Sequence, residues 1–286
     1  MYAPVLILCG DKRSDRLYRL LERQNRPVFR LAAAGDDEET RRAVRESETI
    51  VLPLPAVCGD CLSGDAAATP WQTVFSMFDS TQRVFGGAFK KEQTAFLEER
   101  AVPCFDFLLD ESFARYNAAL TAQGALRLIL EHTEDYLPGR RVLITGYGRV
   151  GKALARALTA LGCDCFVAAR SALQRQESVL SGCKALAPEA IPRTAFLFDV
   201  ICNTVPARLF FKETLRVLRP GCLFLELASA PFGADPQDFA GLPLTYLPGG
   251  GLPGRFCPAA AAAAMLRCID SDREVIPWID PLSATR

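Results

Sequence analysis

The chain has 286 residues, 33 basic and 33 acidic, with 50% hydrophobic and 23% charged side chains. This length suits two domains, and balanced charge without a basic block argues against a nucleic-acid partner. No apolar run approaches the ~20 residues of a membrane span, and Met1-Tyr2-Ala3-Pro4-Val5 does not open like a signal peptide, so a cytoplasmic protein is expected.

Strands and helices alternate over the first hundred residues. "PVLILCG" reads as a buried strand. "SDRLYRLLERQ" follows at helical spacing, with Leu17, Leu20 and Leu21 on one face. "PVFRLA" is a second strand, "DDEETRRAVRES" a polar helix, and "TIVLPLP" a third strand ended by prolines. The stretch from Cys58 to Ser80 reads as a rim loop. "RVFGGA", "KKEQTAFLEERA" and "VPCFDFL" then give strand, helix and strand. Such alternation indicates a parallel three-layer α/β domain. One long helical pattern runs from Glu111 to Tyr136, ended by Pro138 and Gly139.

A second α/β unit begins at Arg141. "RVLITG" feeds a glycine loop, "CDCFVAAR" is its second strand, and "DVICNTVP", "GCLFLELAS" and "LTYLPG" are later ones. "GGGLPGRFCP" leads into an alanine-rich helix from Ala259 to Cys268. The expected fold is therefore two αβα domains, the second a Rossmann-type dinucleotide-binding domain. Residues 1–114 form the first, an N-terminal flavodoxin-like or Rossmann-like domain completed by a C-terminal helix in 257–286. Residues 115–256 form the second, entered by a linking helix over 112–136.

Eleven cysteines are many, and most sit in apolar strand-like runs, as buried thiols do. Cys58 and Cys61 alone have C-x-x-C spacing. They do not open a helix after a strand, and no second pair completes a zinc site, so an incidental role is expected and no metal. The only histidine, His132, is expected at the surface of a helix.

The loop Gly146-Tyr147-Gly148-Arg149-Val150-Gly151 carries the chemistry. Between a strand and a helix, with another strand following, G-x-G-x-x-G is a specific dinucleotide signal. Gly146 permits the turn, Gly148 lets backbone approach the pyrophosphate, and Gly151 lets helix and strand pack. The helix N-terminus offers N–H groups to phosphate. A NAD site usually ends its second strand with an acid that holds the ribose. Here Ala169, Arg170 and Ser171 stand at that end, so the acid's repulsion of a 2′-phosphate is absent. Arg170 and Ser171 can bind that phosphate, with Arg175 as a further candidate, and NADP is the expected cofactor. Asn203, Thr204, Val205 and Pro206 follow an apolar strand and are candidates for the nicotinamide ribose.

With those residues in view, the chain resembles the family of the dipicolinate synthase A-subunit, found in spore-forming bacteria, over most of its length. Gly10-Asp11-Lys12-Arg13 looks like the family's Gly-Asp-x-Arg turn. Asn117, Thr121, Ala122, Gly124 and Ala125 fit its Asn-x-x-x-Thr-Ala-x-Gly-Ala pattern. "GYGRVGKALARALTALG", "AARS", "NTVPA", "LASAPFGAD" and "LPGRFCP" match further on. Two positions depart from the family: Gln123 stands where it usually has Glu, and Ala259-Ala260-Ala261 where it has Lys-Thr-Ala.

The resemblance implies oxidation of a (hydroxy-)tetrahydrodipicolinate-type ring to pyridine-2,6-dicarboxylate during sporulation, with NADP taking the hydride. It implies a partner, the flavoprotein-like B-subunit of dipicolinate synthase, and an active site in a cleft between the two domains. A dicarboxylate calls for cations, and Arg13 and Arg255 are the candidates. Asn117 and Thr121, one helical turn apart, could hydrogen-bond the ring or the nicotinamide amide. Asp11 and Lys12 are weak candidates for a proton acceptor. Two alternatives stay open: an NADP-dependent dehydrogenase of another small carboxylate, and a non-catalytic NADP-binding regulatory subunit. Homo-oligomerisation also stays open.

Overall fold

The computed structural model describes residues 2–65, 67–134 and 136–271. The chain divides into two compact units. One takes in the chain up to Ala114 and resumes at Pro258; the other is Arg115–Cys257. That part of the expected C-terminal helix segment beyond residue 271 lies outside the described residues.

In the first unit the elements run β1 (Val5–Leu8), α1 (Lys12–Arg23), β2 (Val28–Leu31), α2 (Glu38–Arg45), β3 (Thr49–Val51), β4 (Val57–Cys58), β5 (Cys61–Leu62), α3 (Trp71–Phe75), β6 (Arg83–Gly86), α4 (Lys91–Glu98) and β7 (Cys104–Asp106). Five strands make one parallel sheet in the order β2-β1-β3-β6-β7. This is the doubly wound order of flavodoxin-like folds. Every residue of β1 is buried, as befits a strand covered on both faces. The Cys58–Ser80 stretch is more than a loop. It holds the β4–β5 hairpin and α3, whose Trp71, Val74 and Phe75 are buried with Phe78. Their i, i+3, i+4, i+7 spacing is a helical stripe, short enough to be hidden by the Gly- and Pro-rich residues before it.

The helix α5 (Glu111–Glu131) runs from one unit into the other. It stops short of Tyr136. Acidic Glu131 and Glu134 lie where the helix dipole is negative, which disfavours another turn. His132 falls just past its end, exposed, with Nδ1 2.9 Å from the Leu128 carbonyl.

The second unit continues with β8 (Arg141–Thr145), α6 (Arg149–Ala160), β9 (Asp164–Ala168), α7 (Ala172–Leu180), β10 (Lys184–Leu186), α8 (Ile191–Thr194), β11 (Val200–Asn203), α9 (Lys212–Arg216), β12 (Leu223–Glu226), β13 (Thr245–Pro248) and α10 (Leu252–Phe256). Its six parallel strands lie in the order β10-β9-β8-β11-β12-β13. This is the dinucleotide-fold order, which reverses direction between β8 and β11. One face of the sheet is covered by α5 and α6, through Ala125, Ile129, Leu154 and Leu158. The other buries Phe198, Phe210 and Phe224. Gly124 of α5 admits α10: a Cβ there would come 2.8 Å from that of Leu252.

The last described helix, α11 (Pro258–Ser271), packs on α1 through small buried residues such as Ala261 and Ala262. Asp270 pairs at 2.6 Å with the buried Arg26, closing the first unit.

Candidate nucleotide site

The glycine loop lies at the carboxyl ends of the second sheet's strands, beside the point where strand order reverses. Open α/β sheets bind ligands there. Gly146 has φ +85°, a conformation that side-chain-bearing residues rarely adopt. A Cβ on Gly151 would stand 2.3 Å from the Gly146 carbonyl oxygen, so α6 can approach the loop only as glycine. A Cβ on Gly148 would meet nothing within 4 Å. That glycine therefore keeps room for something outside the chain. Gly148 is also the N-cap of α6, and no side chain caps the helix, so its first N–H groups stay available to an anion. These features fit a dinucleotide pyrophosphate.

The other loop residues divide. Arg149 is exposed at the start of α6 and Val150 packs partly into the core. Tyr147, expected at the cofactor, is buried in the core of the second unit, with the Lys152 ammonium 5.5 Å from its ring. Its backbone belongs to the loop; its ring serves packing.

Arg170 is exposed directly after β9. Ser171 caps α7, accepting from the Gln174 N–H at 3.4 Å. Arg175 is turned back on the chain, donating to the carbonyls of Ala169 and Arg170 at 2.7 Å each. Its guanidinium thus braces the strand end that carries Arg170.

The turn after β11 closes the other side of the glycine loop. Thr204 donates its hydroxyl to the Thr145 carbonyl at 2.6 Å. Thr204 Oγ1 and Val205 Cγ2 lie 2.6 and 2.8 Å from where a Gly146 Cβ would be. Pro206 is exposed beyond them. Asn203 differs from expectation. Its side chain is wholly buried and cannot face a ribose. Its Oδ1 accepts from Thr145 Oγ1 at 2.5 Å, and its Nδ2 donates to Glu226 Oε1 at 2.6 Å and to the Val205 carbonyl at 3.0 Å. The three residues are register partners at the ends of β8, β11 and β12.

Glu226 did not stand out in the sequence. It is 2% exposed and accepts from the backbone of Ala228 at 3.0 Å and Gly233 at 2.8 Å. It therefore anchors the segment after β12 to the same crest. Burial pushes its carboxyl above the ordinary range, against the hydrogen bonds that favour the charged form. The signal in the sequence was a lone acid closing an otherwise apolar strand, "GCLFLEL".

The expected substrate residues fall in different units. Asp11 and Arg13 belong to the first. Asp11 caps α1, accepting from the Arg13 N–H at 2.8 Å. Arg13 is 6% exposed, and its guanidinium pairs with Asp11 at 2.9 Å and donates to the Leu54 carbonyl. Arg13, expected as a carboxylate ligand, thus has Nε and Nη2 on the protein's own oxygens. Lys12 is exposed at the start of α1. Asn117, Thr121 and Arg255 belong to the second unit. Thr121 donates to the Asn117 carbonyl at 2.8 Å, one turn back along α5. The buried Asn117 Oδ1 has no hydrogen-bond partner among the described residues. Arg255 is exposed on α10, 3.4 Å from the Pro248 carbonyl and over the Phe256 ring. The two departures from the family pattern lie differently. Gln123 and Ala259 are exposed, and Ala260 is half-buried. Among the described residues no group of three potential ligands could hold a metal ion, and no helix is long and apolar enough to cross a membrane.

Strand order, glycine loop and open helix N-terminus together define a dinucleotide-binding protein built like the 2-hydroxyacid dehydrogenases. Residues 112–232 match the family model of the D-isomer specific 2-hydroxyacid dehydrogenase NAD binding domain. The chain is a homologue of the dipicolinate synthase A-subunit. It is 25% identical over 275 residues to that protein of Bacillus subtilis (strain 168), spanning 90% of this chain and 91% of the relative. The fold matches the crystal structure of the dipicolinate synthase A-subunit from Bacillus halodurans with a TM-score of 0.81 at 21% identity, over 94% of this chain and 97% of that one. The corresponding structure from Bacillus subtilis matches at 0.77 and 22%, over 95% of both chains. A transhydrogenase from Sinorhizobium meliloti shares the fold at 0.64 and 14%, over 95% of this chain and 93% of that one.

Proposed function

We propose that the protein is an NADP-dependent oxidoreductase of the dipicolinate synthase type, which converts a hydroxytetrahydrodipicolinate-type ring to pyridine-2,6-dicarboxylate by loss of water, one hydride to NADP and one proton to solvent. The observation that carries the cofactor choice is Arg170, exposed after β9 where a NAD site would hold an acid. The likeness along nine-tenths of the chain supports the substrate class.

Gly146, Gly148 and the first N–H groups of α6 would hold the pyrophosphate, and Arg170 with Ser171 the 2′-phosphate. Thr204 and Val205 would flank the nicotinamide ribose. Bound NADP supplies a hydride acceptor. The chain's own residues then bind and orient. The unpartnered Asn117 Oδ1 is an acceptor suited to an amide or ring N–H. Arg255 is an exposed cation for a carboxylate. Asp11 already accepts hydrogen bonds from the Arg13 backbone and side chain, which fits a positioning role better than proton transfer. Aromatisation of the ring supplies much of the driving force, so a strong base is not required. The B-subunit of dipicolinate synthase is the proposed partner.

A second reading, a nucleotide-binding subunit without turnover, draws on one observation. Asp11 pairs with Arg13, whose Nη2 also donates to the Leu54 carbonyl. The test is titration with NADP(H) and NAD(H) of the wild type and Arg170→Ala, followed by addition of the dipicolinate precursor with and without the B-subunit. A hydrogen bond to a charged group is worth about 1.5–3 kcal/mol, so NADP should be favoured by roughly ten- to a hundredfold and the preference lost in the variant. Pyridine dicarboxylate absorbance then supports the reaction. Equal affinity for both nucleotides overturns the cofactor assignment. NADP binding without product, even with the B-subunit, selects the second reading.

A further inference from the structure

The β4–β5 hairpin carries two cysteines that neither nucleotide binding nor the proposed reaction uses. Cys58 and Cys61 are register partners across the two-residue turn Gly59-Asp60. Direct partners in an antiparallel ladder stand about 4.5–5.5 Å apart at Cα, within the roughly 4.4–6.8 Å that a disulfide spans. Gly59, at φ +61°, supplies the left-handed residue that so tight a turn requires. Cys58 is exposed and Cys61 half-buried, its thiol 3.0 Å from the Ala68 carbonyl.

The remaining thiols differ. Cys9, Cys163, Cys165, Cys183, Cys202 and Cys222 are buried. Burial pushes Cys9, Cys104, Cys202, Cys222 and Cys268 up to about 12, and it raises Cys163 and Cys257 as well. Thiolate is the attacking species in exchange, so burial disfavours the reactive form of these groups. One other pair lies close. Cys183 precedes β10, whose Lys184 pairs with Phe166, and it hydrogen-bonds Cys165. That bond draws the Cys183 thiol below the ordinary range, but at 5% exposure it is closed to an oxidant from solution.

We infer that Cys58 and Cys61 form a reversible dithiol–disulfide site whose oxidant is a low-molecular-weight disulfide. The exposed Cys58 thiolate attacks one sulfur of the oxidant, breaking its S–S bond and releasing one small thiolate. Cys61 gives its proton to solvent and attacks the Cys58 sulfur, releasing the second. The protein loses two protons and two electrons, and the oxidant, gaining both, becomes two thiols.

The hairpin sits where this change reaches the crest of its own sheet. Leu54, just before it, accepts from Arg13, and Ala56 donates to the Gly87 carbonyl at 2.7 Å. Gly64, just after it, lies so close that a Cβ there would come 2.9 Å from the Gly10 carbonyl oxygen. Closing the hairpin therefore stiffens the strap that rests on Gly10 and Arg13.

The test uses the reduced full chain, oxidised glutathione, an alkylating quench and peptide mass mapping. The expected wild-type product has lost two hydrogens, joins Cys58 to Cys61, and is reversed by a dithiol reductant. Cys61→Ser should keep a stable glutathione adduct on Cys58, and Cys58→Ser should form no disulfide. A glutathione adduct persisting on wild-type Cys58, a disulfide mapping to Cys165 and Cys183, or a chain left fully reduced would each overturn the inference.

Discussion

Asn203 and Glu226 are hydrogen-bonded across neighbouring parallel strands, Nδ2 to Oε1 at 2.6 Å, with neither side chain open to solvent. The pair holds the turn through Val205 on one side and the segment through Gly233 on the other. Asn203→Ala strips the buried carboxyl of its side-chain donor and Thr145 of its acceptor. Unpaired buried groups cost about 1–3 kcal/mol each, more when charged, so a loss of about 3 kcal/mol is expected in urea denaturation. A loss below about 0.5 kcal/mol would mean that water or a rearranged side chain replaces the bond.

The same acid predicts a pH dependence. Burial raises the Glu226 carboxyl above its ordinary value of 4.5. A group raised in the folded state favours folding when protonated. Its contribution is complete below the unfolded value and is lost as pH climbs through the folded one. Glu226→Gln stays neutral, so its stability should fall less than that of the wild type as pH climbs above the ordinary carboxylate value of 4.5. Parallel curves would remove Glu226 from the pH response.

Two glycines of the loop should separate stability from binding. A Cβ at Gly151 meets backbone 2.3 Å away, so Gly151→Ala should cost about 1–3 kcal/mol and abolish nucleotide binding. A Cβ at Gly148 meets nothing, and its φ of −80° suits alanine. Gly148→Ala should leave stability unchanged or raise it by up to about 1 kcal/mol, while nucleotide affinity falls at least about tenfold. Full affinity in Gly148→Ala would show that the nucleotide does not approach this backbone.

Asn117 offers a converse test. Its buried oxygen has no partner among the described residues, and the Thr121 hydroxyl bonds its backbone rather than its side chain. Asn117→Ala removes an unsatisfied acceptor and introduces a better helix former, so thermal stability should rise by several tenths of a kcal/mol. Binding of the dipicolinate precursor or nicotinamide should weaken. Lower stability with unchanged binding would make Asn117 a packing residue.

Much of this molecule is legible along the chain. Apolar runs such as "PVLILCG" and "RVLITG" are strands because parallel sheets bury both faces. The glycine spacing and the missing acid after β9 point to a dinucleotide loop because those requirements are local, met by adjacent backbone. The α3 stripe of Trp71, Val74, Phe75 and Phe78 is equally local but hard to read, its one and a half turns too short to outweigh the turn residues before it. What the sequence by itself determined, then, is whatever neighbouring residues settle among themselves: strand, turn, cap and loop. The tertiary structure alone decided which polar groups are consumed. Arg13 meets Leu54 across 41 residues, and Asn203 meets Glu226 across 23. Both pairings depend on which strands lie side by side. Strand order is set by burying the whole set of apolar faces at once, and buried polar groups must then find partners among whatever that order brings near.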